Sequence, residues 1–114
     1  MLMEQTDPAH ILVVEDDDSL RGVLRDFLSL MGYQISEARD ISSYREQATA
    51  QDIDLTLVDL NLPDGDGLAL VRELTSQSDA PVFVVSGRCD ESSRLQALEA
   101  GADDYLIKPF NARE

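Results

Sequence analysis

Short apolar runs and stretches of helical spacing alternate along the chain. Residues 11–14 form an apolar run without alternation, which is the pattern of a parallel strand covered on both faces. From Leu20 to Met31 apolar residues recur at helical spacing, which predicts a helix with one apolar face, and Gly32 is a usual helix stop. The five runs of strand type comprise residues 11–14, 33–38, 53–59, 81–86 and 104–108.

Helical patterns separate these predicted strands. A weak pattern covers about residues 41–50, and apolar residues between 68 and 74 mark another helix. Asp90 can cap a further helix, for which the spacing predicts Leu95 and Leu98 on the inner face and an end at Gly101. Because strands alternate with helices, we predict an α/β fold, a doubly wound five-stranded parallel sheet with helices on both faces.

Composition narrows the class of protein. The 114 residues fit one domain, here residues 10–114, preceded by a flexible tail over residues 1–9. The net charge of -14 disfavours nucleic acid and anionic membranes as direct partners of this segment. The single cysteine, Cys89, excludes an intrachain disulfide, and we find neither a signal peptide nor a membrane-spanning apolar stretch, so we expect a cytoplasmic protein.

Polar residues follow four of the five predicted strands. In open α/β sheets, ligands bind beyond the carboxyl ends of the strands, so we expect these residues to converge on one site. They are Glu15, Asp16 and Asp17 after the first strand, Asp59 and Asn61 after the third, Ser86 after the fourth and Lys108 after the fifth.

This set of side chains suits phosphoryl transfer. Acids placed near Asp59 would repel it unless a hard cation lay among them, and Mg²⁺ takes carboxylate oxygens and shares phosphate oxygens. A carboxylate held in this way can act as a nucleophile and form an aspartyl phosphate. Lys108 can offset phosphoryl charge, and Ser86 can donate a hydrogen bond to a phosphoryl oxygen.

The motifs resemble those of a known signalling family. "ILVVEDD", "LVDLNLPDGDGL", "VVSGR" and "ALEAGADDYLIKPF" are similar to the corresponding segments of receiver domains of bacterial two-component response regulators. The resemblance runs from about Ile11 to the end of the chain. It implies the flavodoxin-like strand order 2-1-3-4-5.

The resemblance also assigns roles to individual residues. Glu15 stands where many members of the family have Asp, and its longer side chain can bind a metal through water. The Lys108–Pro109 bond is expected to be cis, which would aim the lysine inward. The implied roles are phosphoacceptor for Asp59, metal pair for Glu15 and Asp16, backbone-carbonyl metal ligand for Asn61, switch residues for Ser86 and Tyr105, and phosphate partner for Lys108.

The resemblance implies a phosphorylation-controlled switch rather than a turnover enzyme. A sensor histidine kinase or a phosphotransfer protein would supply the phosphoryl group, and the surface of the fourth helix and fifth strand would change for an output partner. The motif "GADDYLIKPF" is typical of receivers joined to winged-helix DNA-binding domains, so the resemblance favours a role in transcription control. Receivers normally continue into a fifth helix, here expected from about Asn111, so we predict a C-terminally truncated receiver that self-associates.

Three alternatives remain to be weighed. In a calcium-binding loop starting at Asp59, the glycine and glutamate required at positions six and twelve would be Asp64 and Leu70. A phosphatase of the haloacid-dehalogenase type uses the same nucleophile but needs a second Asp where this chain has Asn61. A receiver-like binding module that works without phosphorylation would not need the complete set of site residues.

Overall fold

The molecule has a central parallel β-sheet. The computed structural model describes residues 8–48 and 52–108. The strands in chain order are β1 His10–Val14, β2 Gln34–Ala38, β3 Leu55–Asp59, β4 Asn61–Leu62, β5 Gly65–Asp66, β6 Val82–Ser86 and β7 Asp104–Ile107. β4 and β5 form a small separate hairpin, and the other five strands form the sheet in the order β2-β1-β3-β6-β7. The predicted order 2-1-3-4-5, which numbers only the five strands of this sheet, is confirmed.

Helices cover both faces of the sheet, as predicted. They are α1 Asp18–Leu30, α2 Ile41–Ala48, α3 Gly67–Gln77 and α4 Glu91–Glu99. The larger core lies beneath α2, α3 and α4, where Leu12, Val58 and Val84 of the sheet are fully buried. The smaller core lies beneath α1, where Leu24 and Leu28 pack on the sheet. α1 ends at Leu30, and Gly32 follows with a φ of 97°, which agrees with its predicted role as a helix stop.

The inner face of α4 differs from the prediction. Leu95 is 48% exposed, whereas Ala97 and Ala100 are buried and Leu98 is only half-buried. Small alanines let a helix approach the sheet closely, so the residues with the largest apolar side chains did not mark the buried face. The predicted cap is confirmed, because the Asp90 side chain accepts a hydrogen bond from the N–H of Ser93.

The segment between β3 and α3 contains the β4–β5 hairpin and leads directly into α3. A Cβ at Gly67 would lie 2.5 Å from the Cα of Leu60 and 2.6 Å from the carbonyl oxygen of Asp59. Glycine is therefore required where α3 starts against the backbone of Asp59. Asp64 of the same segment caps α2, accepting hydrogen bonds from the N–H groups of Ile41 and Ser42 at 2.9 and 3.1 Å.

The described residues cover the face beneath α1 only in part. A groove of about 530 Å³ lies between α1 and the sheet, lined by apolar side chains that include Leu57, Phe83 and Leu106. Beside it Phe27 and Leu30 are 58% and 87% exposed. Within residues 8–48 and 52–108, α1 is the one helix on this face.

Some predictions concern residues outside the described part of the chain. They include most of the N-terminal tail (residues 1–7), the Lys108–Pro109 bond and a helix from Asn111. The described helices include none that is long and apolar enough to cross a membrane.

Candidate functional site

Three carboxylates meet at the carboxyl edge of the sheet. Glu15 and Asp16 follow β1, Asp59 ends β3, and one carboxylate oxygen from each lies within 4.8 Å of the others. Glu15 and Asp59 are 2% and 3% exposed, whereas Asp16 is exposed to solvent. The convergence expected from the strand ends is therefore present for these three acids.

Lys108 lies among these acids. Its Nζ is 3.0 Å from Oε1 of Glu15 and 3.1 Å from Oδ2 of Asp59. Burial disfavours the charged ammonium, but the hydrogen bonds to the two carboxylates outweigh burial and raise the pKa of Lys108 above its usual value. Burial also raises the pKa of Glu15, against the opposing hydrogen bonds from the Asp17 N–H and Lys108.

The acid run from Glu15 to Asp18 divides into different roles. Glu15 turns inward, and its Oε2 accepts a hydrogen bond from the N–H of Asp17 at 3.1 Å. Asp17 is the N-cap of α1, as its side chain accepts hydrogen bonds from the backbone of the first turn. Asp18 forms an ion pair with Arg21. Local helix chemistry thus accounts for two of the four acids, and Glu15 and Asp16 remain for the site.

The predicted switch residues are joined through Arg88. Ser86 is fully buried, and its Oγ accepts a hydrogen bond from the N–H of Arg88 at 3.0 Å. The buried Tyr105 donates its hydroxyl hydrogen to the carbonyl oxygen of Arg88 at 2.6 Å. The N–H of Lys108 donates to the carbonyl of Ser86 at 2.7 Å, so β6 and β7 hold the hydroxyl and the ammonium in a fixed relation.

Asn61 lies at the mouth of the site. Its N–H donates to Oδ1 of Asp59 at 3.1 Å, and its side-chain oxygen accepts a hydrogen bond from the Arg88 guanidinium. The predicted role of its backbone carbonyl as a metal ligand stays a prediction. Asp59 is thus held by Lys108 on one carboxylate oxygen and by Asn61 on the other.

Two arginines around the site were missed by the sequence reasoning. Arg88 contacts Asn61, Ser86 and Tyr105, and Arg21 contacts the carbonyl of Glu15. The position of Arg88, two residues after Ser86, was one available signal. The spacing of three between Asp18 and Arg21 on a predicted helix was another.

The donor set suits a hard divalent cation. Three carboxylates against one ammonium leave two negative charges in excess among these four groups. All the candidate ligand atoms are oxygens, which Mg²⁺ prefers over nitrogen and sulfur ligands. The calcium-loop alternative lacks its helix, because β3 precedes Asp59.

Comparisons with known proteins place the sequence in one family. A family model described as the response regulator receiver domain matches residues 11–114. The chain is 43% identical over 105 residues to the KDP operon transcriptional regulatory protein KdpE of Escherichia coli strain K12, covering 92% of this chain and 47% of KdpE. The chain spans about half the length of the curated relatives it matches.

Solved structures are similar along most of the chain. The receiver domain of the TMAO respiratory system response regulator TorR shares 40% identity, with a TM-score of 0.86 and coverage of 93% of this chain and 88% of that one. A response regulator from Burkholderia pseudomallei, solved with a phosphorylated aspartic acid, a calcium ion and citrate, has 32% identity and a TM-score of 0.84, covering 92% and 62% of the two chains. Since the family model matches residues 11–114, the chain belongs to the response regulator receiver domain family.

Proposed function

We propose that this chain is a phosphorylation switch in which Asp59 accepts a phosphoryl group from a histidine kinase or a phosphotransfer protein. The observation that carries the proposal is the placement of Asp59. Its buried carboxylate ends β3, contacts Lys108 at 3.1 Å and lies within 4.8 Å of two further acids. This is the arrangement that an acceptor carboxylate needs, with a cation on one side and metal-binding oxygens on the other.

In the proposed transfer, a carboxylate oxygen of Asp59 forms a bond to phosphorus. The phosphorus–nitrogen bond of the donor phosphohistidine breaks, and its electron pair returns to the departing imidazole. Lys108, already hydrogen-bonded to Asp59, pairs with a phosphoryl oxygen of the product. The protein contributes mainly position and charge neutralisation, as phosphoryl transfer requires.

The residues fit a bound Mg²⁺, which would be held by Glu15, Asp16 and Asp59, with the carbonyl of Asn61 as a further ligand. When bound, the cation would neutralise phosphoryl charge during transfer. The phosphorylated aspartic acid and calcium ion in the similar Burkholderia structure support this proposal. The two excess negative charges among the carboxylates and Lys108 support it independently.

The switch would act through Ser86 and Tyr105. A phosphoryl group on Asp59 offers the Ser86 hydroxyl hydrogen a charged acceptor, and rotation of Ser86 toward it would move the oxygen that now accepts a hydrogen bond from the Arg88 N–H. Because the Tyr105 hydroxyl also bonds to Arg88, movement of this loop would change the α4–β7 surface. We propose that an output domain or partner reads this surface to control transcription in the cytoplasm, with no direct nucleic-acid contact by this segment.

The phosphatase alternative has less support. A haloacid-dehalogenase-type enzyme needs a carboxylic acid two residues after the nucleophile to protonate the leaving group. Here that residue is Asn61, whose amide cannot serve as that acid and whose side-chain oxygen is bound by Arg88. We therefore expect no turnover of small phosphate esters and only self-catalysed phosphorylation and dephosphorylation of Asp59.

We further propose that the apolar groove beside α1 is covered by a segment that follows Lys108 in a longer polypeptide. β7 lines the groove through Leu106 and ends next to it, and the curated relatives are about twice as long as this chain. Without such a cover, the exposed Phe27 and Leu30 would drive two copies of the 114-residue chain together through this face.

Intact-mass measurement after incubation with acetyl phosphate and Mg²⁺ tests the function. Wild type should gain the mass of one phosphoryl group, and Asp59→Asn, which keeps the shape but loses the nucleophile, should gain none. Asp79→Asn removes an exposed acid from the loop between α3 and β6 and serves as the matched control. Phosphorylation of Asp59→Asn at the wild-type rate would show that the acceptor lies elsewhere.

A further inference from the structure

Arg21 binds three acceptors around the acid run. Its Nη1 donates to the main-chain carbonyl of Glu15 at 2.8 Å, its Nε donates to Oε1 of Glu37 on β2 at 3.2 Å, and its Nη2 donates to Asp18. Its side chain is only 16% exposed although it lies on a surface helix. The guanidinium therefore connects the end of β1, the start of α1 and β2.

The contact with Glu15 bears directly on the carboxylate cluster. The carbonyl that Arg21 binds belongs to the peptide group joining Glu15 to Asp16. On the other side of the same residue, the N–H of Glu15 donates to the carbonyl of Ala38 at 2.9 Å. With both main-chain groups of Glu15 bound, the peptide that follows has a defined plane. That plane sets the directions in which the Glu15 and Asp16 side chains leave the backbone.

We propose that Arg21 is a positioning residue for the divalent-cation site. It holds the Glu15–Asp16 peptide so that both carboxylates face Asp59, and it does so from outside the cluster. The inference rests on the metal site of the proposed function. Arginine suits the task because its rigid planar fork can serve separate acceptors at once, which the single ammonium of lysine cannot do with the same geometry.

Positioning and simple electrostatics predict opposite results when Arg21 is replaced. Removal of the positive charge of Arg21 would reduce its Coulomb repulsion of Mg²⁺, which alone should strengthen Mg²⁺ binding. Loss of the bond to the Glu15 carbonyl should weaken it, because the ligands would no longer be held in place. A purely structural role would lower the melting temperature and leave the affinity of the folded protein unchanged.

Mg²⁺ titrations by calorimetry on four forms of the chain separate these cases. They are wild type, Arg21→Lys, Arg21→Gln and the control Arg25→Gln. Arg25 is one turn further along α1 and also pairs with Glu37, at 3.4 Å, but its other ion pair is with Asp26 rather than with the acid run. Arg25→Gln therefore removes the same charge from the same helix without touching the Glu15 carbonyl.

We expect both Arg21 substitutions to weaken Mg²⁺ binding about tenfold, which is the lower end of the loss in affinity seen when a contact that orients a metal ligand is removed. Arg25→Gln should bind Mg²⁺ with the wild-type affinity. Circular dichroism at the titration temperature checks folding, and Arg21→Lys decides the question if Arg21→Gln does not fold. Unchanged or tighter binding in the folded Arg21 variants would overturn this inference alone. Absence of Mg²⁺ binding by wild type would overturn the proposed metal site as well.

Discussion

Removing one carboxylate from the cluster should stabilise the metal-free protein. Two unit charges 4.8 Å apart repel by about 3.5 kcal/mol at an effective dielectric constant near 20, and by about 0.9 kcal/mol in water. Asp16 is exposed, and Lys108 offsets part of the repulsion from the other two acids, so the lower value applies. We therefore expect Asp16→Asn to raise the free energy of unfolding by about 1 kcal/mol and the melting temperature by about 4 °C.

The same substitution should have the opposite effect when Mg²⁺ is present. A ligand at one hundred times its dissociation constant stabilises the folded state by about 2.7 kcal/mol. If Asp16→Asn weakens Mg²⁺ binding about thirtyfold, the gain at the same concentration falls to about 0.9 kcal/mol. The variant, with a total gain of about 1.9 kcal/mol, would then be less stable than wild type, although it is more stable without the metal.

Thermal unfolding followed by circular dichroism, in EDTA and in millimolar Mg²⁺, measures this inversion. Asp79→Asn controls for the loss of one negative charge away from the site. A wild-type melting temperature indifferent to Mg²⁺ would refute the metal site. A lower stability of metal-free Asp16→Asn would refute the argument from charge repulsion.

Three further predictions concern packing and ionisation. Gly67→Ala should lower the free energy of unfolding, measured with urea, by about 1–3 kcal/mol, because the added Cβ would meet the backbone of Leu60. Gly87→Ala, where a Cβ would have no atom within 4 Å, should have little effect, and equal losses in the two variants would contradict the prediction. Burial raises the pKa of Tyr44, so stability should be retained below pH 10 and fall as the pH rises through the raised pKa. Tyr44→Phe should reduce that fall in unfolding curves between about pH 9 and 11, more than replacement of the exposed Tyr33 by Phe does. The 114-residue chain should self-associate through the apolar groove in light scattering, and a stable monomer that binds no hydrophobic dye would contradict this.

The central strands β1 and β6 could be predicted from sequence because most of their side chains are buried on both faces of the sheet. A strand covered on both sides must be continuously apolar, as residues 11–14 and 82–85 are, so its limits are visible in the sequence. The inner face of α4 was not predicted correctly because burial there depends on Ala97 and Ala100. Alanine is common on both exposed and buried helix faces, so spacing alone does not distinguish them.

The part of the site that could be predicted from sequence is the set of residues at the carboxyl ends of the strands. Asp59 and Lys108 are brought together by the parallel register of β3, β6 and β7, which follows from the fold. Side-chain contacts between separate loops do not follow from the fold. The bond from Arg88 to Asn61 and the cap that Asp64 provides for α2 join residues more than 20 positions apart, so sequence spacing does not indicate which residues pair.

Charge balance at the site explains why phosphorylation should depend on a cation. Lys108 forms ion pairs with both Glu15 and Asp59, so its one positive charge is already used to balance carboxylate charge before a phosphoryl group arrives. A phosphoryl donor brings further negative charge toward a cluster that is two charges in excess, within a chain of net charge -14. Unless a divalent cation offsets the excess, approach of the donor is opposed by all three carboxylates, including the nucleophile. On the proposed function, the acids that would bind the metal would also oppose phosphorylation in its absence, and Mg²⁺ would then be a condition for the switch.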